Sequence, residues 1–183
     1  EIDLDRLAVV REIFLEEDGG VDEGRGGVFN ALGSIAIHPA GRRAVVAGMR
    51  ANVRRGAVLS GRPLSHKTTV QSATRFIDLD AGREIPEARM VSSFDGQAVA
   101  VPSAVAFLGS GEHFVETYFA SSDFKVVRTN ERGRVAERAL GSLAPGPTGV
   151  AVTRDGRTAF FLSRWSRSIT RISWSPDGKI LAS

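Results

Sequence analysis

Cysteine is absent from this chain, which excludes disulfides, thiol chemistry and Cys-x-x-Cys-His attachment of haem within these residues. Histidine is scarce, with His38, His66 and His113 the three present. His38 and His113 fall in turn regions of two different repeats, so they are not read as a shared metal site. No apolar run approaches the roughly 18 residues of a membrane-spanning helix, and no signal peptide is visible in the chain. No Gly-x-Ser-x-Gly elbow occurs. Gly24-Arg-Gly-Gly is not a phosphate loop, because no Gly-Lys-Ser/Thr follows it. Lysine is nearly missing as well: arginine outnumbers it 21 to 3, a bias that reads as genomic composition. The net charge of +3 is too small to argue for a nucleic-acid partner. The chain therefore offers no catalytic residue and no metal ligand.

What it does contain is a repeat. Ser34-Ile-Ala-Ile-His-Pro-Ala-Gly41, Ser103-Ala-Val-Ala-Phe-Leu-Gly-Ser-Gly111 and Thr148-Gly-Val-Ala-Val-Thr-Arg-Asp-Gly156 each run from an apolar stretch into a tight Gly turn and a second apolar stretch. Strand–turn–strand units recurring at this spacing predict an all-β propeller of four-stranded antiparallel blades. A blade takes about 40–50 residues, so 183 residues hold at most about four. The expectation is three blades plus the tail of a fourth, as part of a seven-bladed ring. Since the chain opens within a strand-like run, it reads as a piece of a longer protein.

Residues 1–15 alternate loosely and read as the closing strands of a preceding blade, turning at Asp5-Arg6. Residues 16–27 are acidic and Gly-rich and read as a solvated surface loop. Glu16, Glu17, Asp18, Asp22 and Glu23 lack the alternate-residue spacing of a calcium loop. The first full blade spans 33–90, with strands near 34–37, 43–47, 72–79 and 84–89. The second spans 101–140, with strands near 103–107, 112–118, 123–129 and 134–140. The third spans 146–183, with strands near 148–152, 158–162, 168–174 and 179–182. The Val45-Val46 run suits a strand buried on both faces. Ser34 lies 69 residues before Ser103, whereas Ser103 lies only 45 before Thr148, so the first blade carries an insertion at 48–70. Trp165 and Trp174 read as packing residues.

The insertion is the best candidate for binding, because long loops on rigid scaffolds carry function. Arg50, Asn52, Arg54 and Arg55 place donors within six residues, Gly56 permits a tight bend, and His66 follows. Arginine forks there suit a carboxylate, a haem propionate or an acidic protein surface. The competing reading is that the same residues fasten the loop to the next blade.

The repeats resemble the YVTN-type propeller repeats of bacterial extracytoplasmic proteins, through Ile35–Gly41, Val150–Gly156 and Phe76-Ile-Asp-Leu79. Gly24-Arg-Gly-Gly-Val-Phe-Asn30, Asn52-Val-Arg-Arg-Gly56 and Thr69–Leu79 look like a subgroup that often carries a c-type cytochrome domain on its C-terminal side. The resemblance implies a non-catalytic scaffold or interaction module outside the cytoplasm, with no cofactor in this segment and haem c in a neighbouring domain or chain. Its implied partners are another protein or the remaining blades of its own chain. The alternative is a lactonase-type or quinoprotein-type enzyme with a metal or cofactor in the channel.

Overall fold

A computed structural model of the chain describes residues 1–19, 26–52, 69–92, 98–130, 135–175 and 179–182. Among them there is no α-helix, and fifteen strands account for the architecture. A two-stranded hairpin comes first, β1 (Ile2–Asp3) and β2 (Ala8–Val9). The first sheet contains β3 (Val28–Ile37), β4 (Arg43–Ala51), β5 (Val70–Asp78), β6 (Arg83–Glu84) and β7 (Met90–Val91). The second sheet is β8 (Pro102–Leu108), β9 (His113–Tyr118), β10 (Asp123–Thr129) and β11 (Val135–Ser142). The third is β12 (Pro147–Val152), β13 (Thr158–Ser163), β14 (Ser168–Trp174) and β15 (Ile180–Ala182). Every pairing is antiparallel, and the strands of each sheet lie side by side in chain order, except that β7 pairs back onto β5.

The three full sheets stack face to face. Val45, Ala47 and Phe76 of the first sheet pack on Val105, Phe114 and Val127 of the second. Val115, Phe124 and Val126 on the second sheet's other face meet Phe161, Ile172 and Trp174 of the third. The middle strand β4 is buried from Ala44 to Gly48, as the Val45-Val46 run leads one to expect of a strand covered on both faces. Ring pairs knit the two interfaces: Phe76 meets Phe114 edge-on at 5.8 Å, and Phe124 meets Phe161 at 5.3 Å.

Successive sheets also touch through their first strands and first turns. Ser34 Oγ accepts the Val105 amide at 3.3 Å, and Ser103 Oγ donates to the Pro147 carbonyl at 2.7 Å. These serines head the first two repeats, so one repeated position supplies both sheet-to-sheet bonds. Gly33 has no side chain because a Cβ there would strike the Pro102 carbonyl. Strands β3, β8 and β12 therefore run beside one another, and each is an edge strand of its sheet.

Three sequence expectations need correction. First, the 16–27 segment is not wholly solvated: Asp18 is buried and pairs backbone-to-backbone with Gly27. Second, β4 continues through Ala51 and β5 begins at Val70, so residues 48–51 are strand. Gly48 serves close packing there, since a Cβ would meet the Phe29 ring. Third, the strand expected at 84–89 is broken. Pro86 lacks an N–H and opens a 3₁₀ turn, Pro86–Ala88, and the chain returns to β5 only at Met90.

The first hairpin repeats a corner of the first sheet. Ile2-Asp3-Leu4-Asp5 matches Ile77-Asp78-Leu79-Asp80. Asp3 Oδ1 accepts the Asp5 and Arg6 amides at 2.9 and 3.0 Å, and Asp78 Oδ1 accepts the Ala81 amide at 2.9 Å. Both turns close on a residue with positive φ, Leu7 at 50° and Gly82 at 66°. The registers also correspond, Asp3 with Ala8 and Asp78 with Arg83. The hairpin β1–β2 thus repeats the turn and register of the β5–β6 corner.

Candidate functional site

Of the residues singled out in the insertion, Arg50 and Asn52 lie at the end of β4 and just beyond it; Arg54, Arg55 and His66 lie outside the described residues. Arg50 and Asn52 are both buried. Arg50 turns inward to Asp18 at 3.5 Å and to the Gln71 side chain. The Asn52 amide donates to the Thr69 carbonyl at 2.7 Å, joining the two ends of the insertion.

Arg50 belongs to a larger buried network that sequence reasoning missed. At its centre, the Asp18 carboxylate takes Arg75 Nη2 at 2.6 Å and Arg89 Nη1 at 2.9 Å. Glu84 receives Arg89 Nε at 2.7 Å and Arg75 Nε at 3.1 Å, and accepts the Glu16 amide at 3.0 Å. The Arg75 guanidinium stands over the Phe29 ring at 4.7 Å. Burial pushes the Arg75 pKa down against the pull of Asp18 and Glu84, while the hydrogen bond to Glu84 raises that of Arg89. Five charged side chains from five segments thereby fasten the 16–19 stretch to the outer face of the first sheet.

A second buried constellation lies between the first two sheets. Glu116 of β9 has no exposed surface. It accepts the Tyr118 hydroxyl at 2.7 Å, Thr74 Oγ1 at 3.1 and 3.0 Å, and Ser92 Oγ at 3.4 Å. Lys125 stands opposite it across the β9–β10 ladder, with its ammonium 5.6 Å from the Tyr118 ring centre. Burial pushes the Glu116 carboxyl up to about 7, against the Tyr118, Thr74, Lys125 and Ser92 interactions that favour its charged form. A sequence signal for this site exists. In the run Phe114-Val-Glu-Thr-Tyr118 a lone charge sits in an interior strand, where only a buried and hydrogen-bonded carboxylate fits.

At the Gly-turn end, His38 and Arg43 of the first sheet and Ser110, Glu112, Arg128 and Asn130 of the second border a cleft of about 320 Å³. His38 Nδ1 accepts the Ala40 amide at 3.0 Å, and its ring stands edge-on to Phe107 at 5.0 Å. Burial, then the Arg43 charge, lowers its pKa. His38 thus serves as packing between the two turns. His113 borders a neighbouring notch beside Asp155 and Trp174. Among the described residues no three His, Asp or Glu side chains converge in a way that would hold a metal ion. Trp174 is buried in the core, whereas Trp165 is exposed and packs edge-on against Phe119 at 4.4 Å.

No protein-family model matches the chain, and no curated protein matches it. Solved structures do. The hydrazine synthase of Kuenenia stuttgartiensis superposes with a TM-score of 0.66 at 12% identity, over 80% of this chain and 46% of that one. A proposed 6-phosphogluconolactonase from Bacteroides uniformis superposes with a TM-score of 0.53 at 12% identity, over 92% and 44%. Sqt1 of Chaetomium thermophilum gives 0.52 at 13%, over 84% and 36%. This chain is a partial β-propeller. It spans about half or less of the chains it resembles, and at these identities the likeness shows the fold alone.

In propeller terms β3, β8 and β12 are the innermost strands of consecutive blades. None carries an Asp, Glu, His, Lys or Arg in 28–37, 102–108 or 147–152. The hydroxyls of Ser34 and Ser103 on these strands are engaged in blade-to-blade bonds. The ionisable groups of the blades lie farther out, in the buried networks between sheets and on the rim.

Proposed function

We propose that this propeller segment is a non-catalytic scaffold or interaction module of an extracytoplasmic, redox-associated bacterial protein. The observation that carries the reading is the composition of the innermost strands. A propeller enzyme needs acids, amides or imidazoles from several blades around its channel, and these three innermost strands carry no ionisable side chain and a single amide, Asn30. Their buried charges are instead matched to one another within and between sheets, an arrangement that fixes blade geometry. The extracytoplasmic and haem-associated part of the reading rests on the YVTN-type repeats and the Asn52–Gly56 motif. In that reading the insertion faces the partner, and haem c belongs to a neighbouring domain or chain.

The test is metal and haem analysis of the natively purified protein, with an assay of lactone hydrolysis. The expected result is haem confined to a c-type domain, no stoichiometric calcium in the propeller, and no hydrolysis. Stoichiometric calcium together with lactone hydrolysis establishes the enzyme instead. Replacing Arg54 and Arg55 by Ala is expected to weaken the partner contact while leaving the thermal midpoint nearly unchanged, because surface changes typically shift stability by less than about 0.5 kcal/mol.

A further inference from the structure

An apolar trough of about 1090 Å³ lies between the β1–β2 hairpin and the outer face of the first blade. Ile2 and Val9 line one wall, and Leu32, Ile35, Ile37 and Ile77 the other. Five of these six are about 60% exposed: Ile2 61%, Val9 63%, Leu32 59%, Ile35 59% and Ile37 61%. An apolar surface this continuous is uncommon on a finished domain.

The fold itself says what belongs there. By sequence, turn hydrogen bonds, φ and register, β1–β2 is the corner between the third and fourth strands of a blade. Among the described residues β1 pairs only with β2, so the edge where a second strand belongs is unpaired. Innermost strands of adjacent blades run side by side, as β3 and β8 do. The blade of β1–β2 must therefore lay its first two strands over β3, where Ile35 and Ile37 stand uncovered.

We propose that the trough seats a two-stranded β-hairpin of this chain's own repeat, which adds its second strand to β1 and completes a blade. The chemistry it needs is visible on the third blade. There the strands of 147–163 present Phe160 and Leu162, 41% and 51% exposed, on the face turned away from the second blade. A blade preceding the first would turn that same face into the trough, apolar side against apolar side, with the β1 backbone supplying the ladder. Completion of the blade is required of a scaffold and of an enzyme alike, so its failure leaves the proposed function standing.

The absence of cysteine makes the test clean. Ile35→Cys, Leu181→Cys and Ala47→Cys are each introduced alone, in the chain as it is and in the chain extended ahead of Glu1 by a copy of residues 147–170, which carries the first two strands, the turn after them and the start of the third strand that β1 continues. Maleimide labelling is then timed. The extension is expected to slow labelling at position 35 by at least roughly tenfold, to leave position 181 fast, and to leave the buried position 47 protected in both forms. Unchanged labelling at position 35, with position 47 still protected, overturns the proposal. So does equal protection from an extension whose two outward aromatic and aliphatic positions are changed to Asp, since the effect is then mere proximity. Without any cysteine, the extended chain is expected to melt several degrees higher, and an unchanged midpoint again counts against the proposal.

Discussion

Two carboxylates define the residue scale. Glu116 is held fully buried between two blades with its carboxyl pushed up to about 7 from 4.5. An unfolded chain gives up that proton near pH 4.5, whereas the folded chain keeps it until about 7. Stability contributed by this group is therefore complete below pH 4.5 and falls as pH rises to about 7, by on the order of 3 kcal/mol. Glu116→Gln is expected to remove this component. The difference in thermal midpoint between Glu116→Gln and the natural chain should grow from pH 5 to pH 7.5, and a difference that is flat or reversed contradicts the burial argument. Asp18 is a paired charge: Asp18→Ala leaves Arg75 and Arg89 facing each other in a buried site. Chemical denaturation should report a loss of about 3–5 kcal/mol. Glu16→Ala removes a well-exposed partner of Arg89 and should cost under about 0.5 kcal/mol. Glu116 was legible as the lone charge in the run Phe114–Tyr118, whereas the role of Asp18 was not. Asp18 sits among glycines and acids that look solvated, and only the fold shows that three arginines from β4, β5 and the segment before β7 converge on it.

At the scale of the element, the first turns of successive blades stack. Gly111 leaves room for the His38 ring of the preceding blade, and Gly156 lies directly against Gly109. Gly156 also has a φ of 68°, in the left-handed region. Gly156→Ala should therefore cost about 1–2 kcal/mol from the backbone alone and more from the collision with the neighbouring turn, read as a lowered denaturation midpoint. The turns and strands were legible because Ser/Thr-apolar-Gly spacing recurs and because two-faced burial leaves continuous apolar runs such as Ala44–Ala47. The fourth strand of the first blade was not. Its alternation suggested 84–89, but Pro86 interrupts the ladder and bends the chain into a 3₁₀ turn before Met90 and Ala88 pack inward. The correspondence of Ile2–Asp5 with Ile77–Asp80 is plain once the two corners are compared. It marks the corner between third and fourth strands, not the Gly turn that defines the repeat.

At the scale of the whole molecule, two blade faces stand uncovered among the described residues. The trough opens at one end, and Phe160, Leu162 and Ile169 lie exposed on the third blade at the other. Both faces have the character of the two blade interfaces already closed by Phe76–Phe114 and Phe124–Phe161. The overall propeller plan was readable from periodicity, because each repeat is one blade that needs neighbours on both sides. Of the site residues read from the sequence, Arg54, Arg55 and His66 lie outside the described residues, and Arg50 turns inward to Asp18. Hydroxyl-radical footprinting decides most directly whether the third blade ends the molecule or continues a ring. Residues 1–183 alone are compared with a longer natural polypeptide carrying them. Phe160, Leu162 and Ile169 should be reactive in the first and protected in the second, with Trp165 on the rim reactive in both; equal reactivity of Phe160, Leu162 and Ile169 in the two would contradict a propeller continued beyond the third blade.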